Sequence, residues 1–321
     1  FEVDLYRICV RHFHQICTKP LDSRLLSKID SCLLFLLFLC GSAYAGVSSS
    51  TTSECQIGTS ALSSSMATST SASFDVRDKV ALVTGSNRGI GLSIIEGLLK
   101  AGASKAYAGV RTLSSANNLV QNYGRDRVIP LQIDMSDPLT INRAAEIAQD
   151  VELVVNNAGI LEIIEPLDGD TFLASLKHQM DVNVFGLVHM AQAFGPILER
   201  RNGRGAAFVQ INSTSSLRCP KPAFAGYAAS KAAAFSITQG LIGSLPNTLV
   251  LSVHPGPIAT DMVDQFNGRD RSEPPEQVFE AILDALEKGD RFLVYTDTFS
   301  KGMGEDYNDF AKKHVTGTPG Y

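Results

Sequence analysis

Tyr227 and Lys231 stand four residues apart in Tyr227-Ala228-Ala229-Ser230-Lys231, within a segment of helical periodicity. Their side chains therefore share one helix face. A free phenol titrates near about 10, too high for efficient proton transfer at neutral pH. A neighbouring ammonium favours the phenolate and lowers that value. The pair can give a proton to an oxygen or take one from it. On its own the pattern is weak, because many surface helices carry such a pair.

A second stretch supplies what the pair lacks. Thr84-Gly85-Ser86-Asn87-Arg88-Gly89-Ile90-Gly91 directly follows the apolar run Val80-Ala81-Leu82-Val83. A strand ending near Thr84 and a helix opening near Gly89 place the glycines in a strand-to-helix turn. Gly85 permits the tight turn, and Gly89 and Gly91 let backbone approach a pyrophosphate. The helix N-terminus then offers unpaired N–H groups and a positive dipole end. In a dinucleotide site an acid at the end of the second strand would bind the 2′-hydroxyl of NAD. Here that turn reads Ala108-Gly109-Val110-Arg111, with no carboxylate. Arg111 and Arg88 can instead flank a 2′-phosphate with planar, charge-assisted donors. NADP(H) is therefore expected ahead of NAD.

These groups need a scaffold, and the rest of the sequence describes one. Apolar strand-like runs fall at 80–83, 106–110, 128–133, 153–155, 207–211, 249–253 and 292–295. Segments of helical periodicity lie between them at 89–101, 139–149, 171–201, 226–244 and 275–288. Strands apolar on both faces, alternating with helices, predict an α/β fold. Its form is a doubly wound parallel β-sheet of the Rossmann type, flanked by helices. Neither a repeat nor a linker interrupts it, so 76–321 reads as one domain and 1–75 as a leader.

The leader has its own composition. Residues 47–73 are mostly Ser, Thr and Ala and cannot bury a core, which predicts disorder. Ahead of them the apolar run 33–40 precedes Ala43-Tyr44-Ala45, resembling a signal-peptide core and cleavage site, and the Ser/Thr-rich stretch resembles a plastid transit peptide. The run is too short to span a bilayer. The competing reading takes Met66, the first methionine, as the natural start. The first reading predicts a plastid or secretory destination, the second a cytoplasmic protein.

Composition excludes other classes. A net charge of -5 without a basic block argues against nucleic acid. Only Cys219 lies beyond residue 55, so no disulfide can staple the domain. His178, His189, His254 and His314 stand apart and form no metal pattern, and each reads as a surface or interface residue.

The spacing TGxxxGIG resembles the fingerprint of the short-chain dehydrogenase/reductase family, and further stretches match it in order. Asn156-Asn157-Ala158-Gly159 resembles the family's NNAG after the fourth strand. Asp134 stands at the end of the third strand, where the family's acid contacts adenine. His254-Pro255-Gly256-Pro257-Ile258-Ala259-Thr260 resembles the family's segment near the nicotinamide. The resemblance implies a cofactor site built from Gly85, Asn87, Arg88, Gly89, Ile90, Gly91, Arg111, Asp134, Asn157, Ala158, Gly159, Tyr227, Lys231, Pro255, Gly256, Ile258 and Thr260. It implies Tyr227 as acid/base and Lys231 as its tuner and holder of the ribose. It also implies a serine at the end of the fifth strand steadying the carbonyl oxygen, and Asn183 joining the lysine to solvent. Ser213 fits the serine best. Its gap to Tyr227 is one residue longer than the family's, which keeps Ser215 open.

The resemblance implies hydride transfer between a nicotinamide and a small carbonyl or secondary alcohol. Leu161, Ile163, Arg218, Pro220, Phe224, Pro257, Met262 and Phe266 are expected to line a mostly apolar pocket. A homodimer or homotetramer is expected through helices bearing Ala191, Ala193, Phe194, Ala232, Ala233, Ala234 and Phe235, whose apolar faces can equally be core. One rival is a catalytically silent, dinucleotide-sensing regulator, against which both Tyr227 and Lys231 speak. An epimerase or dehydratase of the extended branch is disfavoured by the glycine spacing.

Overall fold

Strands apolar on both faces need helices above and below them. The computed structural model describes residues 73–201 and 205–314, which belong to one compact unit spanning Met66–Tyr321. Its strands are β1 (Val80–Thr84), β2 (Lys105–Val110), β3 (Val128–Gln132), β4 (Leu153–Asn156), β5 (Ala206–Ile211), β6 (Thr248–His254) and β7 (Leu293–Tyr295). They form one seven-stranded sheet, ordered β3-β2-β1-β4-β5-β6-β7, with every pair parallel. This is a Rossmann-like fold. The direction of winding reverses between β1 and β4, opening a crevice at the carboxyl ends of those strands.

The helices are α1 (Gly89–Lys100), α2 (Asn117–Tyr123), α3 (Pro138–Ile147), α4 (Gly169–Met180), α5 (Gly186–Glu199), α6 (Ala225–Ser244), α7 (Asp261–Asp264), α8 (Glu276–Lys288) and α9 (Thr298–His314). Ile94 and Leu98 of α1 and Val278 and Ile282 of α8 share a core with Val83, Val155 and Leu251. Ile141 of α3, Leu187 and Phe194 of α5 and Phe235 of α6 share the opposite core with Leu82, Val154 and Phe208. Phe194, Ala234 and Phe235, expected on an oligomer face, thus belong to the interior.

Three expectations change. The helix predicted over 171–201 is two helices joined by a π-helical turn, Asp181–Phe185, which adds a residue without breaking the apolar pattern. Asp134 lies beyond β3 rather than at its last residue. Phe74, assigned to the leader, is buried and its N–H donates to Leu286 O at 2.7 Å. The remaining leader features, at 33–40 and 43–72, lie outside the described residues. Among the described residues no helix is long and apolar enough to cross a membrane.

Candidate active site

The glycine-rich turn follows β1 and is closed by steric fit. Gly85 and Gly89 adopt left-handed φ values of +66° and +54°, which glycine tolerates without strain. Gly91 touches backbone: a Cβ there would lie 2.2 Å from Gly85 O. Thr84 Oγ1 accepts from the N–H groups of Asn157 and Ala158, both at 2.9 Å, binding the first loop to the fourth. Asn157 Nδ2 donates to Thr84 O at 2.9 Å, so its amide braces the turn instead of facing a ligand.

Two observations fit this turn to a pyrophosphate. Arg88 precedes α1 in extended conformation and makes no side-chain cap bond, leaving the helix N–H groups without a side-chain acceptor. The buried Ser86 hydroxyl has no hydrogen-bond partner among the described residues. Arg111 is exposed just past β2, near enough to Asp134 to act on its charge. Burial acts to raise the Asp134 carboxyl, but the Ser136 hydroxyl and amide, with Arg111, outweigh it and hold the carboxyl below its usual value. Arg88 Nη1 pairs with Asp261 Oδ2 of α7 at 2.8 Å, and Thr260 Cγ2 lies 3.0 Å from where a Gly89 Cβ would stand. The segment after β6 therefore borders the glycine turn.

Tyr227, Lys231, Ser213 and Asn183 assemble beyond the carboxyl ends of β4 and β5. Tyr227 and Lys231 lie in the first and second turns of α6, both buried. The Ser213 hydroxyl hydrogen-bonds the Tyr227 oxygen. Ser213 Oγ also accepts from Ser215 N–H at 3.1 Å and faces Pro255 O at 3.5 Å. Ser213 thus caps the short turn Thr214–Ser216, with Ser215 engaged through its main chain. Lys231 Nζ lies 5.9 Å from the centre of the Tyr227 ring and donates to Ile211 O at 2.9 Å. Asn183, in the π-helical turn, accepts from Ile160 N–H and donates to Ile160 O, both at 2.9 Å, and donates to Ser230 Oγ at 3.0 Å. Gly159 fits between Asn183 and Lys231: its Cβ would stand 3.0 Å from Asn183 Oδ1 and 3.5 Å from Lys231 Nζ.

The electrostatics correct one expectation. Burial pushes the Tyr227 phenol up to about 12, against the Ser213 hydrogen bond, which lowers it. The lysine does not reverse this, because its ammonium points at a backbone carbonyl and is itself pushed down to about 8 by burial. At neutral pH the tyrosine holds its proton and the lysine is mostly charged.

Known proteins align with this arrangement. The family model for short chain dehydrogenase matches residues 79–271. The chain belongs to the short chain dehydrogenase family. An uncharacterised oxidoreductase of Staphylococcus aureus (strain USA300) is 32% identical over 217 residues, covering 65% of this chain and 91% of that protein. A short chain dehydrogenase from Burkholderia cenocepacia J2315, solved in complex with NADP, is 31% identical, with a TM-score of 0.65 over 76% of this chain and 100% of that one. A Burkholderia phymatum member solved with NAD shares the fold at 21% identity, with a TM-score of 0.64 over 77% of this chain and 100% of that one. The protein is an oxidoreductase of this family.

Within this short chain dehydrogenase the expected residues do not all face one ligand. Gly85, Gly89, Arg88, Thr260, Ser213, Tyr227, Lys231, Asn183 and Gly159 are joined through the contacts above. Phe224 meets Phe266 edge to face at 5.2 Å. Arg218 turns outward, its guanidinium 5.5 Å over the Phe299 ring. Three residues around the site were not among those expected there. Thr84 and Asp297 act through contacts distant in sequence, Asp297 Oδ2 accepting from Gly256 N–H at 2.7 Å. His254, expected at a surface or interface, is fully buried. Burial, with the charge of Lys231, pushes its imidazole down to about 4 against a hydrogen bond to the Ser213 carbonyl, so it is neutral at ordinary pH.

Proposed function

We propose that this protein is an NADP-dependent carbonyl reductase, interconverting an aldehyde or ketone with its alcohol. The convergence of Ser213, Tyr227 and Lys231 beside the glycine-rich turn carries the reading. The nicotinamide, when bound, supplies or takes up the hydride. Tyr227, protonated at neutral pH, gives its phenolic proton to the carbonyl oxygen. Ser213 donates to the same oxygen and steadies its developing charge. Lys231 holds the ribose with its ammonium, and Asn183 fixes the loop carrying Gly159 against the helix carrying Lys231. Gly85, Gly89 and Gly91 with Asn87 and Ile90 cradle the pyrophosphate. Asp134 and Ala158 border the adenosine half, and Pro255, Gly256, Ile258 and Thr260 border the nicotinamide half. A mostly apolar substrate body suits Leu161, Phe224 and Phe266.

The choice of NADP rests on Arg88 and Arg111 and on the missing carboxylate after β2, and it accords with the NADP complex of the Burkholderia cenocepacia relative. Replacing both arginines by Ala is expected to weaken NADPH about 100-fold, from two lost charge-assisted contacts, while NADH changes little. Fluorescence titration of both cofactors checks this, and equal weakening of the two contradicts it.

A second expectation concerns pH. Below about 8 the Lys231 ammonium is charged, and above it the charge is lost. The Kd for NADPH should therefore weaken as pH rises through about 8, and a Lys231→Met protein should bind weakly without that limb. An affinity that stays flat to pH about 9.5 contradicts the role given to Lys231. The proposal as a whole is tested on a panel of aromatic and aliphatic aldehydes and ketones, following NADPH absorbance with NADH as control. Consumption with NADPH well above NADH supports it, and consumption with neither refutes it.

A further inference from the structure

His254 is a buried titratable side chain to which the proposed chemistry gives no part. Both of its ring nitrogens are engaged. Nε2 meets Ser252 Oγ at 2.8 Å, and Nδ1 meets Ser216 Oγ at 2.8 Å and Ser213 O at 3.2 Å. A carbonyl oxygen only accepts, so Nδ1 carries the proton. Nε2 is then the acceptor for the Ser252 hydroxyl, which in turn accepts from Asn212 Nδ2 at 2.8 Å. The Ser216 hydroxyl donates onward to Ser213 O at 2.5 Å. Phe235 packs edge to face on the imidazole, with ring centres 4.7 Å apart, and fixes its plane. The outcome is a chain of hydrogen bonds from Asn212 through Ser252, His254 and Ser216 that brings two side-chain donors to the carbonyl oxygen of Ser213, beside the Ser216 N–H that the turn itself places there at 2.9 Å.

Ser213 stands where the chain leaves the sheet. Its backbone is extended at φ −170° and ψ 159°, and the chain turns immediately afterwards at Thr214–Ser216. β5 ends at Ile211, and the main chain around Ser213 is held by Asn212 N–H on Val253 O at 2.7 Å and Thr214 N–H on Pro255 O at 2.9 Å, which leaves the orientation of the Ser213 peptide to the groups on its carbonyl. We propose that His254 is a positioning residue for Ser213: its Nδ1–H and the Ser216 hydroxyl clamp the Ser213 carbonyl, and this aims the Ser213 hydroxyl at the Tyr227 oxygen. The inference rests on the reading of Ser213 as the hydroxyl that works beside Tyr227. It assigns His254 an action through the peptide of Ser213, without contact to substrate or cofactor.

Two substitutions separate the two nitrogens. In His254→Asn the amide Nδ2 stands near the place of Nδ1 and keeps the donor toward Ser213. In His254→Gln the amide stands near Nε2, keeping the Ser252 side and removing the Nδ1 donor from the clamp. Turnover of 4-nitrobenzaldehyde with NADPH is expected to fall about tenfold in His254→Gln and to stay within about threefold of the parent in His254→Asn. The Kd for NADPH should hold in both. In a Ser213→Ala background His254→Gln should cost nothing further, because the group it aims is already gone. Ser216→Ala, at the edge of the network, provides a milder version of the same cycle if the His254→Gln protein folds poorly.

A readout without turnover runs alongside. In cofactor-free protein labelled with ¹³Cζ-tyrosine, the Tyr227 resonance, assigned with Tyr227→Phe, reports the hydrogen bond from Ser213. Ser213→Ala should shift it, His254→Gln should shift it in the same sense, and His254→Asn should not. Losses that multiply in the two backgrounds, or equal damage from Asn and Gln, overturn the inference and leave the proposed function standing. A Ser213→Ala protein as active as the parent overturns the serine's role, and the inference falls with it.

Discussion

Tyr227→Phe is expected to lower carbonyl turnover about 10³-fold while NADPH binds as tightly as before. The substitution removes one oxygen and keeps the ring. Tyr227 is buried, so the packing of the ring against α6 and its surroundings survives. The Ser213 hydroxyl loses one partner but retains the Ser215 N–H and the Pro255 carbonyl, so no buried group is orphaned and the fold should tolerate the change. What disappears is the acid that the proposed mechanism places beside Ser213. The tyrosine is suited to that task because burial keeps it protonated, with its phenol pushed up to about 12. Single-turnover kinetics with NADPH and an aromatic aldehyde, beside a fluorescence titration of NADPH, separate chemistry from binding. A variant that keeps its rate removes Tyr227 from the mechanism.

Gly91→Ala should damage stability and cofactor binding together. The added Cβ would stand 2.2 Å from Gly85 O and 2.6 Å from Asn157 Nδ2. Neither neighbour can yield cheaply. Gly85 is held in its turn by a 2.8 Å bond from its N–H to Gly109 O, and Asn157 by its bonds to Thr84. Overpacking of this kind costs about 2–3 kcal/mol. For a domain of this size that corresponds to a fall in Tm of about 5–10 °C. The turn must open to admit the methyl group, so NADPH affinity should fall by about 100-fold or more, since the helix N–H groups no longer converge on the phosphates. Gly240→Ala is the control: a Cβ there meets nothing within 4 Å, and the change should leave Tm and Kd essentially unaltered. A Gly91→Ala protein that melts and binds like the parent would show that the turn is looser than its contacts imply.

The sheet was legible because its strands are apolar on both faces and separated by helices, a pattern that only a parallel sheet covered on both sides satisfies. All seven strands appear within two residues of their expected limits. The π-helical turn at Asp181–Phe185 was not legible, since one inserted residue leaves the apolar periodicity of both flanking helices intact. Helix α9 was missed for a different reason: Gly302 and Gly304 lower its intrinsic propensity, and the helix is held by tertiary packing. Gly304 is one example, since a Cβ there would strike the Tyr295 ring at 2.4 Å.

The site divides along the same line. Tyr227, Lys231 and the glycines belong to local patterns whose chemistry can be read from spacing. Ser213 could not be separated from Ser215 by spacing, because the decision lies in how Thr214–Ser216 turns. The raised tyrosine also depended on geometry: a lysine at the right spacing still had to point at the phenol, and it points at Ile211 O. The pairing of Arg88 with Asp261 joins residues 173 apart, and the burial of His254 depends on Phe235, Ser216 and Ser252 meeting around it. Contacts of that range exist only once the sheet has formed.

The most direct test of hydride transfer uses NADPH carrying deuterium at C4 of the nicotinamide, incubated with the protein and a panel of aldehydes and ketones. Mass spectrometry of the alcohols should find deuterium on the carbinol carbon, delivered from one face of the label only, in the parent protein and not in Tyr227→Phe. A protein that binds the labelled cofactor yet transfers deuterium to no carbonyl would be a dinucleotide sensor that keeps the fold without the chemistry, and the account given for Tyr227, Lys231 and Ser213 would be wrong.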